Sequence, residues 1–505
     1  MVNVAGRSKG CSTCRKRRVK CDESRPVCQR CQRLRLDCDG PRSIVFVEGK
    51  IVKSRRTQKQ STPGSDDADT SLALWKRQDV EESISLSPVL QSSVQDLGLR
   101  FSEYQVYVCY LRQNLYPNGP VDRGLQKLDV SDLEVSRDPA RREGTPLFNQ
   151  AALTFAILLF GARHKQTQII AEGYDMHGVT LRRLNKALSI PGCHTSDEII
   201  NVIVIMAMLE MYMPSGPQNW LKHMLGLERM LELRDPGSLI YASSQTLELY
   251  KGVRHMILLA ALRNRTPSIF ARPRWKAVLR TELSLETPQE QDLHDVLADC
   301  SVLTAASDEI ARIWDPYDAN CMQRLEQITT TAMNLLASLS MWKEQWDSDA
   351  LNTRTIETDF EAFRAGAPPL LQTIYRFYDD TVTRMFMLYN TALIHVLHIM
   401  AATEGFQSNA HMSSSMGPDM HAHVPRTGTK AAIYAAGIET ARSILEYMRH
   451  RSLRGDKYFP SPIVQWAVLT AWEALGRNES PEGRWMMRFL SSNDKYAIAK
   501  VAWQL

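Results

Sequence analysis

The chain has 505 residues, of which 44% are hydrophobic, enough apolar material for a large buried core. Its 25 glycines and 23 prolines follow no strict triplet, which excludes a collagen-like or wholly disordered chain. The net charge of +5 is unevenly spread: residues 1–60 hold 17 Lys/Arg against 5 Asp/Glu, and residues 61–505 hold 44 against 51, so a basic head joins a mildly acidic body.

The first ten residues are polar and basic with no apolar stretch after them, so no secretory leader is expected and the cysteines are read for a reducing compartment. Cys11, Cys14, Cys21, Cys28, Cys31 and Cys38 follow as C-x2-C-x6-C, six residues, and C-x2-C-x6-C, an internal repeat with an offset of 17. Each half sets two thiols one tight turn apart and a third about two helical turns on, so that local folding aims three sulfurs at one point. Thiolates at this spacing favour zinc. Two tetrahedral ions need eight ligand contacts from six cysteines, so two thiolates must each serve both metals, and symmetry nominates Cys11 and Cys28. Formal charges leave such a cluster at about −2, which favours nearby cations. A disulfide staple, or one zinc held by four cysteines, is the plainer alternative; the compartment disfavours the first. With Val19, Val27, Leu34 and Leu36 as almost its whole apolar content, this segment depends on metal for its fold.

Five cations fall within six residues in Arg15-Lys16-Arg17-Arg18-Val19-Lys20, between two of these cysteines. A charge run is ordinarily a solvated face or an import signal. Held on a short helix by metal, this one can enter a major groove, where Arg and Lys reach guanine O6 and N7. Lys9, Arg25, Arg30 and Arg42 would neutralise phosphates and set affinity without setting sequence. No aromatic residue lies between Cys11 and Cys38, which argues against base stacking on single strands.

The run Gly10-Cys11-Ser12-Thr13-Cys14-Arg15-Lys16-Arg17-Arg18-Val19-Lys20-Cys21-Asp22, followed by Arg25-Pro26-Val27-Cys28-Gln29-Arg30-Cys31, resembles the zinc binuclear cluster of fungal transcription factors. The resemblance implies two zinc ions bridged by the first and fourth cysteines, Arg17 and Arg18 against the bases of a CGG-type triplet, and Lys20 and Arg15 on phosphate. Many members carry Lys at the position of Arg18. Members often pair through a coiled coil after the sixth cysteine, but residues 39–100 show no sustained heptad.

The composition gives three domains: the cluster over 8–42, a basic then Ser-rich linker over 43–97, and a body over 98–505. Lys50, Lys53, Arg55, Arg56 and Lys59 form a second basic group in the linker, and Asp79 to Leu97 mixes acids with apolar residues, as a linker that begins to dock on the body does and an activation segment also would. From residue 98 the apolar period is helical and an all-α body of roughly fifteen helices is expected. Thr195-Ser196-Asp197-Glu198 reads as a capping box before a buried helix over Ile199 to Met213. Apolar faces recur at Trp220, Met224, Leu227 and Leu231, at Tyr434, Ile438, Ala441, Leu445 and Met448, and at Val464, Val468, Ala471 and Leu475. The longest near-continuous apolar runs, Ala151–Phe160 and Ile199–Met213, fall short of the roughly 18 to 20 residues of a bilayer span, so no membrane association is expected. The segments Trp220 to Gly226 and Leu262 to Trp275, with Thr266-Pro267-Ser268 and Ala271-Arg272-Pro273, resemble the regulatory domain that follows zinc clusters in one branch of the same family.

His223, and His395 with His398, sit on apolar helices and are expected to be core histidines; His411, His421 and His423 fall in a Ser/Met/Gly-rich stretch expected to be an exposed loop. No phosphate-binding loop or nucleophile elbow appears, so no enzyme and no catalytic residue is expected. The expected protein is a nuclear RNA polymerase II regulator binding double-stranded DNA and co-regulators, with pairing of two copies through the body as one arrangement. The alternative is a cluster used for protein or RNA contact without a specific duplex site.

Overall fold

The computed structural model describes residues 12–17, 19, 21–22, 28–34, 36, 38, 103–117, 119–126, 128, 145–213, 216, 218–280, 286–315, 317–414, 426–453 and 461–491. Lys9, Cys11, Arg18, Lys20, the linker with its second basic group, the acidic-apolar segment before Leu97, His421 and His423 lie outside the described residues. The chain divides into two compact units, Met1–Gly98 and Leu99–Leu505, and both are built of helices.

In the first unit, α1 (Ser12–Lys16) and α2 (Gln29–Arg33) are five residues each and stand 17 apart, so the sequence repeat is also a structural one. Their closing hydrogen bonds repeat at the same offset. Arg17 N donates to Thr13 O and Leu34 N to Arg30 O, while Val19 N donates to Cys14 O and Leu36 N to Cys31 O, both of the latter at 3.0 Å. Helices this short do not persist alone in water, and what they pack against is a core of Cys14, Cys28 and Cys31 flanked by Val19, Cys21, Leu36 and Cys38.

The second unit opens with α3 (Glu103–Asn114), α4 (Pro120–Gln126), α5 (Leu147–Arg163), α6 (Thr167–Leu188), α7 (Asp197–Tyr212) and α8 (Asn219–Glu232). Helix α7 is buried on every face from Val202 to Met211, as a helix apolar all round must be. Each of its buried Val and Ile side chains contributes about 1.5–3 kcal/mol. Its N-cap is Ser196, whose Oγ accepts from Ile199 N at 3.4 Å. The cap therefore lies one residue later than a Thr195–Glu198 box would put it. Thr195 instead bonds back to Gly192 O, and Glu198 accepts from Phe148 N at the start of α5. Helices α5 and α6 pack closely because Gly173 has no side chain: a Cβ there would come within 2.6 Å of Leu158.

The chain continues through α9 (Ser244–Asn264), α10 (Pro273–Leu279), α11 (Pro288–Ile313) and α12 (Ala319–Asp347). Serine and threonine caps with proline in the first turn set several starts, as at Thr287-Pro288 for α11. A two-stranded antiparallel sheet follows, β1 (Thr355–Thr358) and β2 (Thr373–Arg376), in register Thr355 to Arg376, with α13 (Phe360–Arg364) between them. The sequence gives no sign of this pair: β1 is exposed throughout, β2 buries adjacent Ile374 and Tyr375, and four residues are too few for a period of two to show.

Helices α14 (Asp380–Ser414), α15 (Arg426–Leu453), α16 (Pro462–Ala474) and α17 (Pro481–Ser491) complete the unit. The helical faces expected around Leu227, Ala441 and Val468 are buried. By length and composition alone, Asp380–Phe406 of α14 is apolar enough to cross a bilayer, a longer stretch than the two apolar runs measured in the sequence. In this fold 67% of its most apolar window is buried, against α11, α12, α15 and α16, as in the core helix of a globular body.

Candidate metal centre and nucleic-acid interface

Helix α1 carries Cys14 on its inner side and α2 carries Cys31 at the equivalent place, both almost fully buried. Cys28 is the N-cap of α2. The Cys14 Sγ stands 3.8 Å from both Cys28 Sγ and Cys31 Sγ. A disulfide would need about 2.05 Å. The 3.8 Å spacing is that of two sulfurs around one tetrahedral zinc, since bonds of about 2.3 Å give an edge of about 3.8 Å. All three thiols lie within 4.8 Å of one another, and Cys28 belongs also to a second such group with Cys21 and Asp22. A thiol in two ligand groups at once is what a bridging cysteine requires. Cys38 packs on the same core. The donor set and its spacing thus fit zinc.

The first three residues of α2 all find acceptors for the backbone donors that a helix leaves open, and the next begins its regular bonding. Gln29 N and Arg30 N donate to the two carboxylate oxygens of Asp22, at 3.0 and 3.3 Å; Cys31 N donates to Cys28 Sγ at 3.4 Å; Gln32 N donates to Cys28 O. Asp22 has no role in a ligand count, and only the folding of one half against the other reveals it.

Outward from the thiols lie the cations. Lys16 and Arg17 are exposed at the end of α1, and Arg30 and Arg33 are exposed on α2. Arg15 is on α1, and the run between Cys14 and Cys21 starts from a helix whose inner side is sulfur. The repeat is not symmetric in charge: the position of Arg17 is taken in α2 by Leu34, which is 52% exposed, and that of Lys20 by Asp37.

In the helical unit His223 and His395 are half-buried and held neutral by their surroundings, whereas His398, expected in the core, is exposed because its side of the helix faces outward there. Burial, with His177 and Lys222 adding to it, lowers His223 to about 4, and burial lowers His395, whose ring lies 5.7 Å from Trp466, to about 3. His395 and His398 do not converge with other ligands among the described residues. Ligand atoms that do converge are those of Glu286, Glu290 and His294, four apart in sequence at each step, a stripe that helical spacing could have flagged. Arg254 pairs with Glu286 there, its Nη2 lies 2.9 Å from His294 Nδ1, and buried Lys251 adds a second positive group. Burial works to raise Glu286, but Arg254 and the His294 hydrogen bond hold it at about 2. The chain's own cations already balance these carboxylates, so a dication would have to displace Arg254.

A cavity of about 960 Å³ opens between α4 and the starts of α5, α7 and α9. Two of its carboxylates are engaged, Glu248 with Arg123 at 2.8 Å and Asp197 with Arg234 at 2.9 Å and Thr246 at 2.7 Å. The segments around Trp220 and Thr266 meet through Glu228 of α8, whose Oε1 accepts from Ser268 Oγ at 2.7 Å and Ile269 N at 2.9 Å. That contact is structural: it anchors the turn before α10.

Residues 9–44 match the fungal Zn(2)-Cys(6) binuclear cluster domain. Over 131 residues, 26% of this chain, the sequence is 24% identical to the uncharacterized protein AN5342 of Emericella nidulans, of which the match spans 28%. No solved structure matches the chain. Residues 9–44 thus carry a fungal Zn(2)-Cys(6) binuclear cluster domain, a domain that binds two zinc ions.

Proposed function

We propose that this chain is a sequence-specific, nuclear regulator of RNA polymerase II transcription whose zinc cluster reads a CGG-type triplet in the major groove. The observation that carries the reading is the convergence of Cys28 and Cys31 on Cys14, each at 3.8 Å, beneath a short helix at whose end Lys16 and Arg17 are exposed. In this reading all six cysteines hold two zinc ions, with Cys11 and Cys28 shared. Zinc supplies the folding free energy and neutralises most of the thiolate charge. The chain's residues do the rest: Arg17 and Arg18, which follow α1 in sequence, reach guanine O6 and N7, and Arg15, Lys20 and Lys9 hold phosphates. The asymmetry of the repeat selects α1 over α2 as the reader, because Leu34 offers no charge where Arg17 does. The helical unit, similar in its Trp220 and Thr266 segments to the regulatory domains of such factors, is the part that contacts co-regulators or a second copy. The domain limits of 8–42, 43–97 and 98–505 belong to the same reading.

Fluorescence anisotropy of the full zinc-loaded chain on a CGG-containing duplex and on a scrambled one tests the contacts. Arg18→Ala should cost about 1–3 kcal/mol on the CGG duplex and little on the scrambled one, whereas Lys20→Ala should weaken both and lower the salt slope by about one. Equal losses on both duplexes for both variants would contradict the division between base and phosphate contacts.

A further inference from the structure

We propose that Asp22 is a positioning residue of the zinc cluster: it clasps the start of α2 from the first half of the repeat, and so fixes Cys28 and Cys31 against Cys14 without itself binding metal. The inference rests on the zinc reading above and adds a residue to it. Asp22 follows Cys21 directly, seven residues before the helix it caps. Its two oxygens take separate donors, Gln29 N and Arg30 N, the amides of two consecutive peptide units between Cys28 and Cys31. Rotation of α2 about its own axis would break one bond or the other, and the same rotation would swing Cys31 Sγ away from Cys14.

A carboxylate within 4.8 Å of Cys21 Sγ and Cys28 Sγ could also be read as a ligand competing for the metal. Geometry points the other way. Both oxygens already accept from backbone, and a negative charge is favoured at a helix start. The first half, which holds the cation run, is thereby tied to the second by something other than the metal. In sequence, Asp39 follows Cys38 as Asp22 follows Cys21; it lies outside the described residues.

The test uses the full chain as Asp22→Ala, Asp22→Asn and wild type. Zinc per chain is measured first, then transfer of zinc to the chelator 4-(2-pyridylazo)resorcinol, then the visible spectrum of the cobalt(II)-substituted protein. Asp22→Ala should weaken zinc retention roughly tenfold, with the tetrahedral thiolate spectrum unchanged. Asp22→Asn keeps one acceptor and should recover most of the loss. Retention within about threefold of wild type in Asp22→Ala, no recovery in Asp22→Asn, or a cobalt spectrum altered by either variant would overturn the proposal. A wild-type chain holding fewer than two zinc ions would instead sink the zinc reading beneath it.

Discussion

Single side chains decide how tightly the helical unit is held, and Glu228 shows it most directly. Burial raises its carboxyl above the ordinary range even though Ser268 and Ile269 donate to it. The folded state then holds the proton more tightly than the unfolded chain, so the burial cost is absent below the unfolded value and grows as pH rises through the folded one. Both donors converge on Oε1, and an amide oxygen can accept both. Glu228→Gln should therefore match or exceed wild type in thermal stability at pH 7 and lose that advantage near pH 4. Glu228→Ala should cost about 1–3 kcal/mol, because Ser268 Oγ and Ile269 N would be left buried and unpaired. Melting curves of the three proteins at the two pH values check both statements. At this scale the cysteines and the basic run were legible because ligand chemistry and charge are local in sequence. Asp22 and Glu228 were not, since each acquires its role from a partner on another element.

Elements differ in what holds them. Helices α1 and α2 are five residues each and bury little besides thiols, so metal is their main support. Chelation of the full chain should abolish hydrogen-exchange protection at Val19 N and Leu36 N while leaving α7 protected; retained protection at both amides would contradict a metal-dependent fold. The helices of the body are instead held by apolar burial, and this includes neutral histidines. His223 lies at about 4, and His255 and His395 at about 3, all through burial. A base lowered in the fold binds protons only on unfolding, so this stability is complete above the unfolded value near 6.5 and is lost as pH falls toward 4. The melting temperature of the body should drop over that window, and His395→Gln should lessen the drop. Most long helices could be read from their apolar period. The β1–β2 pair could not, because its pairing is tertiary, and neither could the cap of α7, where Ser196 and Thr195 offer the same chemistry one residue apart.

The whole molecule joins two units with different physics. The first is small, basic and built on sulfur; the second is a large helical body, mildly acidic over residues 61–505, with buried charge pairs such as Arg254 and Glu286. The sequence carries the first unit's metal chemistry because six cysteines at fixed spacing leave few solutions. It carries the second only as a fold class, since apolar periodicity specifies helices but not what they sense. Whether the proposed reader recognises DNA sequence is answered by selection from random duplex DNA by the full zinc-loaded chain at near-physiological salt. The expected outcome is enrichment of a CGG-type triplet that disappears when zinc is removed, either alone or as a pair at fixed spacing if two copies join through the body. Recovery of the input pool without enrichment would contradict the proposal.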